Sequence, residues 1–150
     1  MKDGFIKVAA ATPKTAVADC VTNAERALEA VRRMEEQGAK IMVLPELCLT
    51  GYTCSDLFWQ ERLQKEAREQ LKRLIQETAG VDALIFAGLP WEHGGKLFNV
   101  AAAFSRGRLL GLVPKKYLPN YNEFYEMRHF TPGSEKVEWI EWEGEKVPFG

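Results

Sequence analysis

Residues 41–52 read Ile41-Met42-Val43-Leu44-Pro45-Glu46-Leu47-Cys48-Leu49-Thr50-Gly51-Tyr52. The four apolar residues at the start form a short buried strand, and Pro45 halts it because proline has no N–H to give to a sheet ladder. Directly behind the proline, a single carboxylate, Glu46, stands between two apolar runs. Desolvating a charge in such surroundings is costly unless it has a partner or a task.

The segments on either side set the fold class. Upstream, Phe5 to Ala11 is another short apolar run, closed by Thr12-Pro13, and reads as a buried strand. Between the two runs, Val21, Ala24, Leu28, Val31 and Met34 recur at spacings of three and four, with Asp19 as N-cap and Gly38 as the stop. Downstream, Ser55-Asp56 opens a second helical pattern carried by Leu63, Ala67, Leu71, Leu74, Ile75 and Thr78, ending at Gly80. Ala83 to Leu89 reads as a third buried strand, followed by a connection at Trp91-Glu92-His93-Gly94-Gly95 in which the glycine pair makes a turn.

Leu97–Phe104 and Leu109–Val113 form a hairpin around Ser105-Arg106-Gly107. A long irregular stretch runs from Pro114 to Ser134, and a last hairpin, Val137–Trp142 with Lys146–Phe149, turns at Gly144. Strands alternating with helices and then antiparallel hairpins predict an α/β layer with a mixed sheet. The chain stops at Phe149-Gly150 just as a strand begins, so residues 1–150 are expected to be one domain or part of one.

Composition narrows the function classes. A chain of 150 residues with 46% hydrophobic and 27% charged residues is built like an ordinary globular domain. A net charge of −1 and a pI near 6.2 give no attraction for nucleic acid or an anionic membrane. The start, MKDGFIKVAAATPK, lacks a signal-peptide apolar region, and no apolar run spans a bilayer, which points to the cytoplasm. Three cysteines without CxxC spacing and two histidines complete neither a disulfide scaffold nor a zinc pattern.

Two places share one local grammar, Val43-Leu44-Pro45-Glu46 and Gly111-Leu112-Val113-Pro114-Lys115. In each, a proline ends an apolar run and the next residue is charged, so Glu46 and Lys115 stand at strand ends, where open α/β sheets bind ligands. An acid and a cation in one crevice serve as general base and electrostatic stabiliser; solvated loop charges are the alternative.

LPELCLTGY around Glu46, together with KKYLPNYNEFYEMRHFTPG from Lys115 to Gly133, resembles the nitrilase superfamily of carbon-nitrogen hydrolases. Within it, the LPNYxxFYExRxFxPG segment from Leu118 resembles the glutaminase domain of glutamine-dependent NAD synthetases. The resemblance implies an αββα sandwich, of which residues 1–150 are the N-terminal part, incomplete at the C-terminus. It implies Glu46 as general base and Lys115 as oxyanion stabiliser; Leu118 of a KxxL pattern selects Lys115 over Lys116, and neighbouring side chains point to opposite faces.

Tyr121 matches the family's glutamine-contacting tyrosine, with a rim tyrosine as the alternative, and Phe124 lines the same pocket or packs in the core. Glu126 matches a second carboxylate beside the lysine, or else pairs with Arg128. Tyr52 is expected to pack structurally, and His93 and His129 to be loop or core residues. The family's nucleophilic cysteine lies on a later strand. Cys20 reads as a buried helix residue, while Cys48 and Cys54 could be activated by a helix N-terminus or a cation.

The implied reaction is hydrolysis of glutamine to supply ammonia for ATP-dependent NAD synthesis. No cofactor is implied in residues 1–150, ATP belongs to a synthetase domain, and the full-length protein is implied to be a homo-oligomer. Another nitrilase-branch amidase and a non-catalytic folding or interaction unit are the competing readings. This piece of the sandwich is expected to expose an apolar face and a strand edge, and to hydrolyse no glutamine alone.

Overall fold

The structure, a computed structural model, describes residues 4–150. Residues 1–3, part of the stretch read above for a signal peptide, lie outside the described residues. The elements follow as β1 (Val8–Ala10), α1 (Cys20–Glu36), β2 (Ile41–Val43), a 3-10 helix (Ser55–Trp59), α2 (Glu61–Glu77), β3 (Leu84–His93), β4 (Lys96–Ser105), β5 (Arg108–Pro114), α3 (Glu126–His129), β6 (Glu138–Trp142) and β7 (Glu145–Phe149). They form one seven-stranded sheet in the order β1-β2-β3-β4-β5-β7-β6. β1, β2 and β3 run parallel, β3, β4 and β5 antiparallel, and β7 joins β5 in parallel.

This is the expected α/β layer with a mixed sheet. α1 starts where its cap predicts, with the Asp19 carboxylate accepting the Thr22 N–H at 3.0 Å. α2 starts later than expected. Ser55 sits at φ +51°, so Ser55–Trp59 closes as a 3-10 turn, and extended Gln60 becomes the N-cap. β3 runs on through Trp91 to His93, so Gly94-Gly95 alone makes the turn to β4. All three hairpin turns place two consecutive residues at positive φ: Gly94-Gly95, Arg106-Gly107 and Glu143-Gly144. That pairing matches the twist of the flanking strands.

The helices cover one face of the sheet. Met42, Ile85, Ala87, Leu89, Ala102, Phe104 and Leu112 are buried there with Leu28, Val31, Leu71 and Leu74 from α1 and α2. The alternate residues form the other face. Register sets Val43 beside Phe86, Phe86 beside Ala103, Ala103 beside Gly111, and Ala101 beside Val113. Val43 and Val113 are 43% and 50% exposed, and Trp139 on β6 is 63% exposed. The expected uncovered apolar face is present, and β1 and β6 are the sheet's two edges.

One glycine decides how the chain leaves β2. After the Leu44 N–H bonds the Phe86 carbonyl at 2.9 Å, residues 45–47 cross directly over Gly88, and the Leu49 N–H then bonds the Gly88 carbonyl at 3.2 Å. A Cβ on Gly88 would lie 2.3 Å from the Leu47 nitrogen and 2.7 Å from the Pro45 carbonyl oxygen. Both neighbours are backbone, so neither can swing aside. Gly88→Ala is expected to cost about 3 kcal/mol through overpacking. The fall in Tm should be on the order of 10 °C; thermal unfolding with a Tm unchanged from the parent would contradict the packing argument.

Candidate active site

The crossing over Gly88 delivers Glu46. Leu47 takes φ +50°, unusual for a bulky side chain, and is fully buried. That turn returns the apolar chain to the core and leaves the neighbouring carboxylate outside it, with 39% of the Glu46 side chain exposed.

Lys115 arrives from the other side by a comparable device. Pro114 ends β5, and the Lys115 N–H bonds the Asn99 carbonyl at 2.7 Å while its own carbonyl accepts the Gly133 N–H at 2.9 Å. Held at both ends of its peptide unit, Lys115 extends its ammonium to Glu46 Oε1 at 2.7 Å and to Glu126 Oε1 at 3.0 Å. Glu126 opens the single-turn helix α3 and is only 5% exposed. It is fixed by its N–H to the Pro119 carbonyl at 3.2 Å, and its carboxylate accepts the Tyr52 hydroxyl at 2.7 Å. Its Oε2 lies 3.0 Å from the Lys115 ammonium but outside hydrogen-bond geometry.

Electrostatics keeps Lys115 and Tyr52 each in one state. Burial alone would lower the Lys115 pKa, but the bonds to Glu46 and Glu126 outweigh it and hold it above 10.5, so an ammonium is present at neutral pH. Burial and the Glu126 contact push the Tyr52 hydroxyl well up, which keeps it a hydrogen-bond donor. The three cysteines are poor nucleophiles. Burial raises Cys20 to about 12 and Cys48 to about 11, and also raises Cys54. Cys48 donates to the Gly88 carbonyl and Cys54 to the Thr50 carbonyl. Among the described residues no cluster of His, Cys, Asp or Glu could hold a metal ion.

The residues singled out in the sequence separate into two groups. Glu46, Lys115 and Glu126 converge. Lys116 instead pairs with Glu135, and Arg128 pairs with Asp56 at 3.2 Å, so neither joins the Glu46–Lys115–Glu126 group. Tyr121 and Phe124 stand apart: Tyr121 is 64% exposed and meets Phe124 edge-on at 5.7 Å between ring centres. Phe124 also lines a cavity of about 220 Å³ with Leu47, Tyr52, Phe58, Glu126 and Phe130. His129 borders that cavity, while His93 lies 2.8 Å from Glu138 at the sheet surface.

Two site residues escape the sequence reading. Tyr52, expected only to pack, anchors Glu126. Asn99, 3% exposed, donates its side-chain amide to Glu46 Oε1 in a short contact. The signal for Tyr52 is its place six residues behind Glu46, in a loop held by hydrogen bonds from Cys48 to Pro45 and from Thr50 and Gly51 to Leu47. Asn99 comes across from Lys115 only through the register shift between Ala103 and Phe104, which leaves it without a signal in the sequence.

The assembled group is an open carboxylate and an ammonium, backed by a buried second carboxylate. Such a set can take a proton from an approaching nucleophile and counter negative charge that develops beside it.

Comparison with known proteins places the chain in a family. The glutamine-dependent NAD(+) synthetase of Mycobacterium tuberculosis is 38% identical over 147 residues, which cover 98% of this chain and 22% of the relative. The enzyme of the same name from Aquifex aeolicus is 36% identical over 89% of this chain and 23% of its own length. The chain thus spans less than a quarter of these curated relatives. The crystal structure of a glutamine-dependent NAD(+) synthetase from Cytophaga hutchinsonii superposes with a TM-score of 0.91 at 28% identity, covering 97% of this chain and 25% of that one. An amidase from Nesterenkonia shares the fold with a TM-score of 0.71 at 22% identity, over 99% of this chain and 56% of its own. The carbon-nitrogen hydrolase family model matches residues 7–148, almost the whole sequence, and the chain belongs to that family.

Proposed function

We propose that residues 1–150 are the N-terminal part of a glutaminase domain, which hydrolyses glutamine and supplies the ammonia for ATP-dependent synthesis of NAD from nicotinic acid adenine dinucleotide. The observation that carries the reading is the Lys115 ammonium 2.7 Å from the open carboxylate of Glu46 and 3.0 Å from the buried one of Glu126. The relatives of that name, matched along nearly the whole chain, supply the substrate class.

In this reading Glu46 is the general base. It takes the proton of a cysteine thiol, and the thiolate attacks the side-chain amide carbon of glutamine. A lysine ammonium has three N–H donors. Glu46 and Glu126 engage two of them in Lys115, which leaves one for the oxygen of the tetrahedral intermediate. The proton held by Glu46 passes to the leaving nitrogen as ammonia departs. Water, deprotonated by the same carboxylate, then cleaves the thioester and releases glutamate.

Tyr121 and Phe124 serve as glutamine-contacting groups at the rim, and Glu126 keeps Lys115 charged. The nucleophile comes from a later segment of the protein, because Cys20, Cys48 and Cys54 are buried thiols engaged in the core. That segment packs on the uncovered sheet face: Asn99 shares its face with Ala101 and Ala103, so the site opens on that side. ATP is held by a separate synthetase domain, and the complete enzyme is a cytoplasmic homo-oligomer. Among the described residues no helix is long and apolar enough to cross a membrane. A general amidase is the weaker alternative, since the Nesterenkonia amidase superposes less closely than the synthetase.

The test is glutamine hydrolysis by the full-length protein that carries this chain. Glu46→Gln is expected to lower kcat by 10³-fold or more, an order of magnitude set by the loss of the general base; ammonia release near the parent rate would refute the assignment. Residues 1–150 alone should release none.

Lys115→Met supplies a second test, through stability. It strands the Glu126 carboxylate, at a cost of about 3 kcal/mol. Because the folded pKa of Lys115 lies above its ordinary 10.5, the ammonium's contribution is complete below that pH and is lost as pH rises through the folded value. The gap in Tm between parent and Lys115→Met should therefore stay constant from neutral pH to about 10 and close above it; a gap that closes near neutrality would show that the ion pair is not its source.

A further inference from the structure

We propose that Asn99 is the positioning residue that aims Glu46, holding one carboxylate oxygen so that the other alone faces the incoming thiol. The proposal rests on the reading of Glu46 as general base and adds a residue to that machinery.

Asn99 lies inside β4, between β3 and β5, across from the point where β5 ends. Its two polar ends serve the two partners of the site. The backbone carbonyl accepts the Lys115 N–H at 2.7 Å, and the side-chain amide donates to Glu46 Oε1. An ionised carboxylate only accepts hydrogen bonds, so the group that faces it must be the amide nitrogen. The Lys115 ammonium reaches the same Oε1 at 2.7 Å. Oε1 thus takes two donors, while Oε2 takes no hydrogen bond among the described residues.

This asymmetry has a chemical consequence. A carboxylate free to rotate presents either oxygen along many directions, whereas one pinned at Oε1 by a donor embedded in a sheet presents Oε2 along one. Both the base and the ammonium are thereby referenced to a single residue of a central strand. Positional errors of about 1 Å at a reacting pair are worth roughly 100-fold in rate, so a rigid reference of this kind is functionally valuable. Asn suits the position because it is uncharged at every working pH and has only two side-chain torsions to fix. The charged or titratable groups around Glu46 are Lys115, Glu126 and the Tyr52 phenol, and none of them can replace a neutral donor from the strand.

The experiment measures glutamine hydrolysis against pH in the full-length protein for the parent, Asn99→Asp, Asn99→Ala and Glu46→Gln, with Tm recorded for each. Asn99→Asp keeps the shape but sets a second carboxylate against Glu46 Oε1. At neutral pH its kcat is expected to fall about 100-fold with KM within about threefold. Toward pH 5 the two carboxyls share one proton, the new side chain becomes a donor again, and relative activity should recover. Asn99→Ala should lose kcat without that recovery and with KM little changed.

A parent-like kcat for Asn99→Asp would overturn the proposal. So would a loss that is equal at every pH and tracks a lowered Tm. If Asn99→Asp does not fold, Asn99→Ala decides: unchanged kcat, or a loss confined to KM, overturns the proposal. Glu46→Gln separates the two levels, since its full activity would remove the base assignment itself. Activity lost in Glu46→Gln but kept in both Asn99 variants would remove only the role of Asn99.

Discussion

The site depends on one ammonium held between two carboxylates of different burial. Glu126 is almost wholly buried, and an unpaired carboxylate there would cost several kcal/mol. Lys115 therefore serves the fold, because it neutralises Glu126 in place and is in turn kept charged by Glu46 and Glu126. Glu46 sits at the open end of the same row and can act outward because the buried end is already satisfied. Tyr52 completes the arrangement from behind, spending its hydroxyl on the buried carboxylate rather than on the open one.

The row exists only because the backbone permits two close approaches. Residues 45–47 lie on Gly88 with no room for a side chain, and Gly133 lies against the Pro114 carbonyl, where a Cβ would come within 2.6 Å. Each glycine stands under the strand exit that presents one member of the ion pair. The left-handed turn at Leu47 costs about 1 kcal/mol for a non-glycine residue. Its full burial repays that strain and separates the apolar side chain from the carboxylate beside it.

Most of the layer was legible in the sequence because periodicity reports burial directly. Ala24, Leu28, Val31 and Met34 are buried on α1 as their spacing predicts, whereas Val21 at its first turn is 43% exposed, and the Phe5–Ala11 run, read as a buried strand, forms only the edge strand β1 with Phe5 and Val8 81% and 65% exposed. Proline punctuation likewise marked Glu46 and Lys115 as strand-end residues. Other features were hidden for identifiable reasons. Ser55-Asp56 looks like a cap, yet α2 starts at Glu61, because Ser55 adopts a left-handed conformation that no composition rule signals. Asn99 was hidden by a bulge. Counting back from the Arg106-Gly107 turn sets Lys115 across from Phe98, and only the unpaired Leu110 shifts the partner to Asn99. Tyr52 and Glu126 are far apart in sequence, and no local pattern predicts their contact.

The uncovered sheet face and the site belong to one structural problem. Side chains alternate along β4, so Asn99 emerges on the side that carries Ala101 and Ala103, opposite the helices. Glu46 bonds Asn99 there, and the exposed apolar surface at Val43, Val113 and Trp139 lies on that same side. A layer that buries this surface would necessarily approach the open carboxylate. Water would then be displaced from the apolar face and from around the ammonium together, and electrostatic interactions strengthen as water leaves. Burial of the apolar face and drying of the ion pair would thus be one physical event, because the carboxylate and the ammonium already stand together on that side.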